Sequence, residues 1–236
     1  MPPDFFNLSM LVNTYKHLLI LISRCLKSII MNEQKPDISL PNQEEGSEKN
    51  IETTQELNST EEAKELFNQA KKRLLDVNQW QQICGKMSAV FKLADEKGND
   101  IEGDPKAGNY FKIDIPGPGT ASGKGYDWVR VEAVEENKNE QEDSESILIR
   151  VRPADNPSTR DNNVAHFFSE KATSNFVVSR SKNVVTAAVY GRNEVPNTAT
   201  DKPLDKTRNA VVGATAIAGF SNPQWKSLAN GVLGKS

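Results

Sequence analysis

The sequence contains little of what most metal-binding and many catalytic sites require. Its 236 residues include only two cysteines, Cys25 and Cys84, and two histidines, His17 and His166. The cysteines are far apart, and no CxxC pair or neighbouring histidine accompanies them, which excludes the usual zinc motifs and predicts reduced thiols. We therefore expect no metal site, no cofactor and no catalytic centre built from several histidines.

The sequence also lacks a strong charge of either sign and a long apolar run. Lys and Arg number 29 against 32 Asp and Glu, which gives a net charge of −3. Because nucleic-acid binders normally carry clustered positive charge, a DNA or RNA partner is not expected. The longest apolar run near the start, residues 18–22, is closed by Arg24 and Lys27. It is too short to cross a bilayer, so no integral membrane segment is predicted.

The first 58 residues divide into two segments of different composition. Residues 1–30 are either a non-native extension, since Met31 offers a second start, or an amphipathic helix with an apolar face. Residues 31–58 are rich in Glu, Asn, Gln, Ser and Thr, and their few apolar side chains predict a disordered acidic tail. Because the start fits a secretory signal poorly, the expected location is cytoplasmic.

Residues 59–236 are predicted to form a single α+β domain. Ser59 and Glu62 have the spacing of a capping box, and a helical apolar period follows to about Val77. No strand is expected before this helix. About six antiparallel strands come next, and Pro203 and Pro223 then suit the first turns of two helices, or of one broken helix. One helix before the sheet and these helices after it must pack on the sheet.

The centre of this prediction is a hairpin over residues 108–134. Its two halves alternate between apolar and polar side chains, and the Pro-Gly-Pro-Gly sequence at 116–119 must leave the sheet. The acidic residues 135–146 are assigned to an exposed hairpin loop. The side chains expected to face the core along the sheet are Phe111, Ile113, Ile115, Val129, Val131, Ile147, Ile149, Val151, Phe176, Val178, Val185, Ala187 and Val189.

One short motif resembles a known superfamily. The stretch Leu74-Leu75-Asp76-Val77-Asn78-Gln79-Trp80 resembles the LxDvxxW sequence found early in helix-grip domains of the START and polyketide-cyclase-like superfamily. The helix that contains Trp225-Lys226-Ser227-Leu228 is similar to the long C-terminal helix that lies across their curved sheet. The resemblance implies a cavity between sheet and helix that holds an apolar ligand. It implies no particular reaction, because function depends on the site and not on the fold.

Seven residues are candidate site residues. His166 and Asp127 are the candidates for a catalytic acid or base, although a lone histidine beside two phenylalanines is more often a packing residue. Three arginines near strand ends either hold a ligand carboxylate or phosphate or, more commonly, form cross-strand ion pairs. Two aromatic residues either face a partner or, as we expect, lie under the terminal helices. These five candidate ligand contacts are Arg150, Arg152, Arg192, Trp128 and Tyr190.

These observations together predict a non-catalytic binding module for a small apolar or amphipathic ligand. The alternative is a structural or protein-interaction subunit with a filled core, whose surface is formed by the loops at 116–125 and 191–197 and whose partner is another protein. A third hypothesis is a cyclase- or hydrolase-like enzyme that uses His166 or Asp127. A cavity of roughly several hundred cubic ångströms favours the first hypothesis. A packed interior favours the second.

Overall fold

The computed structural model describes residues 38–84, 89–116, 119–159 and 163–235. The predicted extension or amphipathic segment at 1–30, with His17 and Cys25, lies outside these residues. Cys84 is a free, half-buried thiol. The elements in chain order are β1 (Ser47–Glu56), α1 (Thr60–Leu75), a 3-10 turn (Val77–Gln79), α2 (Trp80–Cys84), β2 (Val90–Ala94), β3 (Tyr110–Asp114), β4 (Asp127–Asn139), β5 (Ser144–Pro153), β6 (Thr173–Ser181), β7 (Val184–Glu194), α3 (Pro203–Thr215), a π-helical segment (Ala216–Phe220) and α4 (Asn222–Val232).

The strands form one antiparallel sheet of seven strands in the order β1-β7-β6-β5-β4-β3-β2. The main core lies between one face of this sheet and helices α1 and α4. The structure thus confirms the α+β class, with one strand more than the predicted six. All the side chains that were expected to face the core belong to this main core or pack against it. No helix in the described ranges is long and apolar enough to span a membrane.

The stretch that resembles the helix-grip motif joins α1 to the sheet. The indole of Trp80 is fully buried, donates a hydrogen bond to the Leu74 carbonyl at 3.0 Å, and lies 4.8 Å from the Phe176 ring. The Asn78 side chain accepts a hydrogen bond from the Leu93 backbone N–H at 2.9 Å. In this chain the motif therefore makes structural contacts, because its side chains join the end of α1 to strands β2 and β6.

The prediction of disorder is wrong for residues 47–56, and a strand does precede the first helix. These residues form β1, which pairs along its length with β7. Two of its inward side chains are polar, and their partners come from the end of the chain. Thr53 donates a hydrogen bond to Asn230 at 2.8 Å, and Lys49 donates one to Ser221 at 2.8 Å. The strand could not be predicted from its polar sequence, because the contacts that stabilise it are made with residues far away in the chain.

Two predicted loops are instead continuations of strands. Most of residues 135–146 belongs to β4 and β5, which leaves a turn of only four residues at 140–143. Beside this turn, the buried Arg180 guanidinium of β6 donates hydrogen bonds to Asp143 at 2.9 Å and to Glu145 at 2.6 Å. These contacts place a buried cation beside two of the carboxylates of the acidic run. Similarly, β7 extends to Glu194, so the predicted 191–197 loop begins later than expected.

Candidate functional site

A cavity of about 380 Å³ lies between the sheet and the C-terminal helical segments. Each of the seven strands contributes at least one side chain to its wall, and the opposite wall comes from α3, the π-helical segment, α4 and the loop at 166–168. This volume falls within the range of about 300–1,000 Å³ that is typical of small-molecule sites. The implied cavity between sheet and helix is therefore present. Its apolar lining comprises Ala89, Phe91, Phe111, Ile113, Ile115, Pro116, Val129, Val151, Phe167, Phe168, Phe176, Val212, Ala216 and Trp225.

Aromatic rings form much of the apolar wall. The Trp225 ring of α4 lies 6.1 Å from Phe91 and 5.7 Å from Phe176, both with tilted or edge-on geometry. Trp225 is only half-buried, unlike the two phenylalanines. Rings packed against one another in this way form an apolar surface that needs little ordering when a ligand binds.

A buried ion pair forms the polar end of the cavity. The Lys49 ammonium lies 3.7 Å from the Glu194 carboxylate, and it donates hydrogen bonds to Ser221 Oγ at 2.8 Å and to the Ala216 carbonyl at 3.1 Å. Burial lowers the pKa of Lys49 and raises the pKa of Glu194, while each partner opposes the shift of the other. Two donors of this ammonium are therefore hydrogen-bonded to protein groups, and its charge is paired with Glu194.

His166 is the candidate catalytic residue that borders the cavity. Its ring is buried and stacks on Phe167, with 4.2 Å between ring centroids, and its Nδ1 accepts a hydrogen bond from the Phe168 backbone N–H at 2.9 Å. Burial, together with the positive charge of Arg208, lowers the pKa of His166 to about 3. The imidazole is therefore neutral at physiological pH, with its proton on Nε2.

Asp127, the other catalytic candidate, lies behind the cavity wall. Its carboxylate accepts two hydrogen bonds from Arg208 of α3, and a third from the Phe167 backbone N–H at 3.0 Å. Burial raises the pKa of Asp127, and the hydrogen bonds from Arg208 oppose this shift. The ion pair attaches α3 to the first residue of β4. It does not bring Asp127 and His166 into a hydrogen-bonded catalytic arrangement.

A second carboxylate attaches α3 to the glycine-rich loop between β3 and β4. Asp205, in the first turn of α3, accepts hydrogen bonds from the Ala121 N–H at 2.6 Å, the Ser122 N–H at 3.0 Å and the Ser122 hydroxyl at 2.6 Å. Beyond α3, Gly219 has a φ of 92° and breaks the helical path before α4. A positive φ is accessible to glycine at little cost. The break therefore lets α3 and α4 present side chains to one cavity from two directions.

The two aromatic candidates lie on the outer face of the sheet, away from the cavity. Trp128 packs against Ala94 and Ala165 and donates a hydrogen bond to the Gly123 carbonyl at 3.2 Å. Tyr190 belongs to a second outer cluster, and its hydroxyl is 2.6 Å from a Glu52 carboxylate oxygen. The expectation that the terminal helices cover these rings is wrong. Loop residues cover Trp128, and the N-terminal residues Ile38 and Leu40 pack against the cluster that contains Tyr190.

The three arginine candidates also lie on the outer face. Arg150 approaches Glu135 at 3.8 Å, and Arg152 pairs with Glu132, so both form the expected cross-strand ion pairs. Arg192 instead donates to backbone carbonyls and lies over the Tyr190 ring at 5.7 Å. None of the five predicted ligand contacts lines the 380 Å³ cavity. Lys49 was not predicted as a site residue, because its only signal in the sequence is an alternation with Ile51 and Thr53.

Comparisons with known proteins find similarity only at the level of structure. No protein-family model matches the chain, and no curated protein matches it in sequence. Matching solved structures include Ara h 8.0201, at 11% identity over 79% of this chain and 99% of that chain, with a TM-score of 0.27. Protein Ms6760 from Mycobacterium smegmatis matches at 14% identity over 76% and 89%, with a TM-score of 0.28. Major latex-like protein 151 from Panax ginseng matches at 10% identity over 73% and 96%, also with a TM-score of 0.28. Values this low establish neither a family nor a function.

Proposed function

We propose that the chain is a non-catalytic binding module that takes a small, largely apolar ligand into the cavity between the sheet and its C-terminal helices. The observation that carries this proposal is the cavity itself, about 380 Å³ lined mainly by aromatic and aliphatic side chains. Ligand sites are typically concave, mostly apolar and already formed before binding. This cavity is partly open to solvent, so its apolar wall meets water. A ligand that fills it removes that apolar surface from water, which is favourable.

The two other hypotheses receive less support. A structural or protein-interaction subunit needs no concave apolar cavity, whereas one lies between this sheet and its helices. General acid–base catalysis by His166 or Asp127 needs a group that exchanges protons near the reaction pH. The lowered pKa of His166, about 3, makes it a weak base, and Asp127 is held by Arg208. The cavity therefore favours binding over catalysis.

The experiment that tests this proposal is a fluorescence titration of the full chain with the neutral apolar probe N-phenyl-1-naphthylamine. We expect saturable binding with enhanced emission. Val151→Phe adds aromatic volume to the cavity wall and should weaken binding at least about tenfold, which corresponds to roughly 1.4 kcal/mol. Arg150→Gln, on the outer face of the same strand, is the matched control and should leave the Kd unchanged.

Two results would contradict the proposal. One is the absence of saturable binding to the wild-type chain. The other is binding that Val151→Phe leaves intact while both proteins unfold cooperatively, because the probe would then occupy another surface. If Val151→Phe and Arg150→Gln change the Kd of the probe equally, the same conclusion follows.

A further inference from the structure

Some polar groups of the cavity wall already have hydrogen-bond partners in the protein, and others do not. The Lys49 ammonium has three partners, and the Glu194 carboxylate accepts from Ser47 at 3.3 Å and faces Lys49. The Thr215 hydroxyl donates to the Val212 carbonyl at 2.8 Å. His166 differs from these three, because only its Nδ1 is engaged. Ser174 and Gln224 also line the wall, and Gln224 accepts a hydrogen bond from the Ala89 N–H at 3.5 Å. Among the described residues, none provides a hydrogen-bond partner for the Nε2 of His166.

The orientation of the His166 ring is fixed by its surroundings. The Phe168 N–H occupies Nδ1, and stacking on Phe167 restricts rotation of the ring. Since Nδ1 accepts a hydrogen bond, the neutral ring carries its hydrogen on Nε2. A residue that is 94% buried thus keeps an N–H donor without a protein partner at the edge of an apolar cavity. The Nε2–H donor faces the cavity, where a ligand oxygen can accept its hydrogen bond in place of water.

We propose that the ligand is uncharged and carries a carbonyl, ether or hydroxyl oxygen that accepts a hydrogen bond from Nε2–H of His166. This inference rests on the proposed function and specifies the chemistry of the same site. The remainder of the ligand packs against the aromatic wall formed by Phe91, Phe176 and Trp225. His166 is then a specificity-determining residue.

The charge distribution of the cavity wall argues against an anionic ligand. Lys49 is the only lysine or arginine in the described wall, and its ammonium is already paired and hydrogen-bonded. Glu194 lies beside it and repels a carboxylate. A ligand anion would lose its hydration without gaining a free cationic partner, which is costly in an apolar cavity. A neutral oxygen loses far less hydration, and the donor on His166, whose ring orientation is fixed, is sufficient for it.

Three probes of nearly equal size separate these possibilities. Naphthalene tests the apolar cavity alone, 2-acetylnaphthalene adds a neutral carbonyl oxygen, and 2-naphthoate places an anion of similar shape at the same position. Titration calorimetry of the full chain at pH 7.5 measures each Kd. We expect the ketone to bind about 3–10 times more tightly than naphthalene, as one hydrogen bond allows. The naphthoate should bind at least about ten times more weakly than the ketone.

Two variants of His166 provide the matched comparison. His166→Asn places an acceptor near the position of Nδ1 but removes the Nε2–H donor, so the ketone should lose its advantage over naphthalene. His166→Gln places an amide N–H near the position of Nε2 and should retain part of that advantage. If either variant fails to fold, ¹⁵N NMR of the wild-type imidazole replaces it. In that measurement the ketone, and not naphthalene, should shift the Nε2–H resonance.

The outcomes distinguish the inference from the function on which it rests. One outcome would overturn the role of His166 alone. In it, Val151→Phe weakens the binding of naphthalene, but His166→Asn still binds the ketone more tightly than naphthalene. Naphthoate binding as tightly as the ketone would overturn the neutral-ligand assignment alone. Failure of all three probes to bind would overturn the proposed function and the inference together.

Discussion

Arg208 donates two hydrogen bonds to Asp127, with N···O distances of 3.1 Å and 2.5 Å, and both side chains are buried. The same carboxylate accepts the Phe167 backbone N–H at 3.0 Å. One side chain at the start of β4 therefore holds both α3 and the 166–168 loop, and each of them contributes to the cavity wall. This pair is the structural anchor of the candidate site.

Removing one partner of this pair should strongly destabilise the domain. Arg208→Met leaves the Asp127 carboxylate buried without its cation, and such losses typically cost about 3–5 kcal/mol. Equilibrium unfolding in urea measures the change in the free energy of unfolding. The control is Arg152→Met, which removes a half-exposed ion pair with Glu132 and should cost less than about 1 kcal/mol. Equal effects of the two substitutions would show that Arg208 does not anchor the helix.

The Asp205 contacts should contribute stability that depends on pH. Burial alone would raise the pKa of Asp205, but the hydrogen bonds from Ser122 and Ala121 outweigh it and the pKa is lowered. Its contribution is therefore present above the pKa of the unfolded state and is lost as pH falls through the lower pKa of the folded state. Asp205→Ala should cost about 1–3 kcal/mol at pH 7 and less at pH 3.

Asp201→Ala is the matched control for Asp205→Ala, because Asp201 is exposed just before the same helix. Urea unfolding at both pH values should show little effect of this control. A cost of Asp205→Ala that does not change with pH would mean that the ionised carboxylate is not what holds the loop.

The buried imidazole should make the fold less stable in mild acid. The pKa of His166 is lowered to about 3 from 6.5, so the unfolded state binds a proton that the folded state excludes between these values. As pH falls from 6 to 4, this one residue should reduce the free energy of unfolding by about 1.4 kcal/mol per pH unit. Urea unfolding of the wild type and of His166→Asn at each pH isolates this contribution. If the free energies of unfolding of the two proteins change in parallel with pH, the imidazole does not cause the loss of stability.

The residues before β1 should also add stability, because they cover the outer face of the sheet. Ile38 and Leu40 pack against the cluster of Leu148, Val177, Ala188 and Tyr190. Leu40→Ala should therefore lower the free energy of unfolding by about 1–2 kcal/mol, less than a fully buried leucine would. Glu48→Ala, at an exposed position on β1, is the control and should have little effect. If Leu40→Ala also leaves the free energy of unfolding in urea unchanged, the segment does not pack as described.

Periodicity predicted most of the sheet and of the helices because their stabilising contacts are local or regular. The alternation of Phe111 and Ile113 identified the buried face of β3, and Ser59 does cap α1, with its hydroxyl accepting the Glu62 N–H at 3.2 Å. β1 could not be predicted in the same way. Its inward Lys49 and Thr53 resemble residues of a solvated tail until α4 supplies their partners.

The candidate site was less accessible from the sequence than the fold. Of the seven predicted site residues, His166 lines the cavity, and Arg150, Arg152, Arg192, Trp128 and Tyr190 lie on the other face. An isolated arginine on an alternating strand does not reveal which face a distant helix will cover. Lys49 and Glu194 are 145 positions apart, and only the pairing of β1 with β7 brings them together. Such a site depends on topology, which single-strand patterns do not contain.

Native mass spectrometry of the full chain purified from its own host tests the central claim most directly. We predict a mass excess for the wild-type chain, released as one uncharged small molecule on denaturing extraction, and its loss in Val151→Phe. Arg150→Gln should retain the same excess. If the wild type has the mass of the bare chain, or if Val151→Phe carries the same adduct, the cavity does not hold a ligand and the proposed function is wrong.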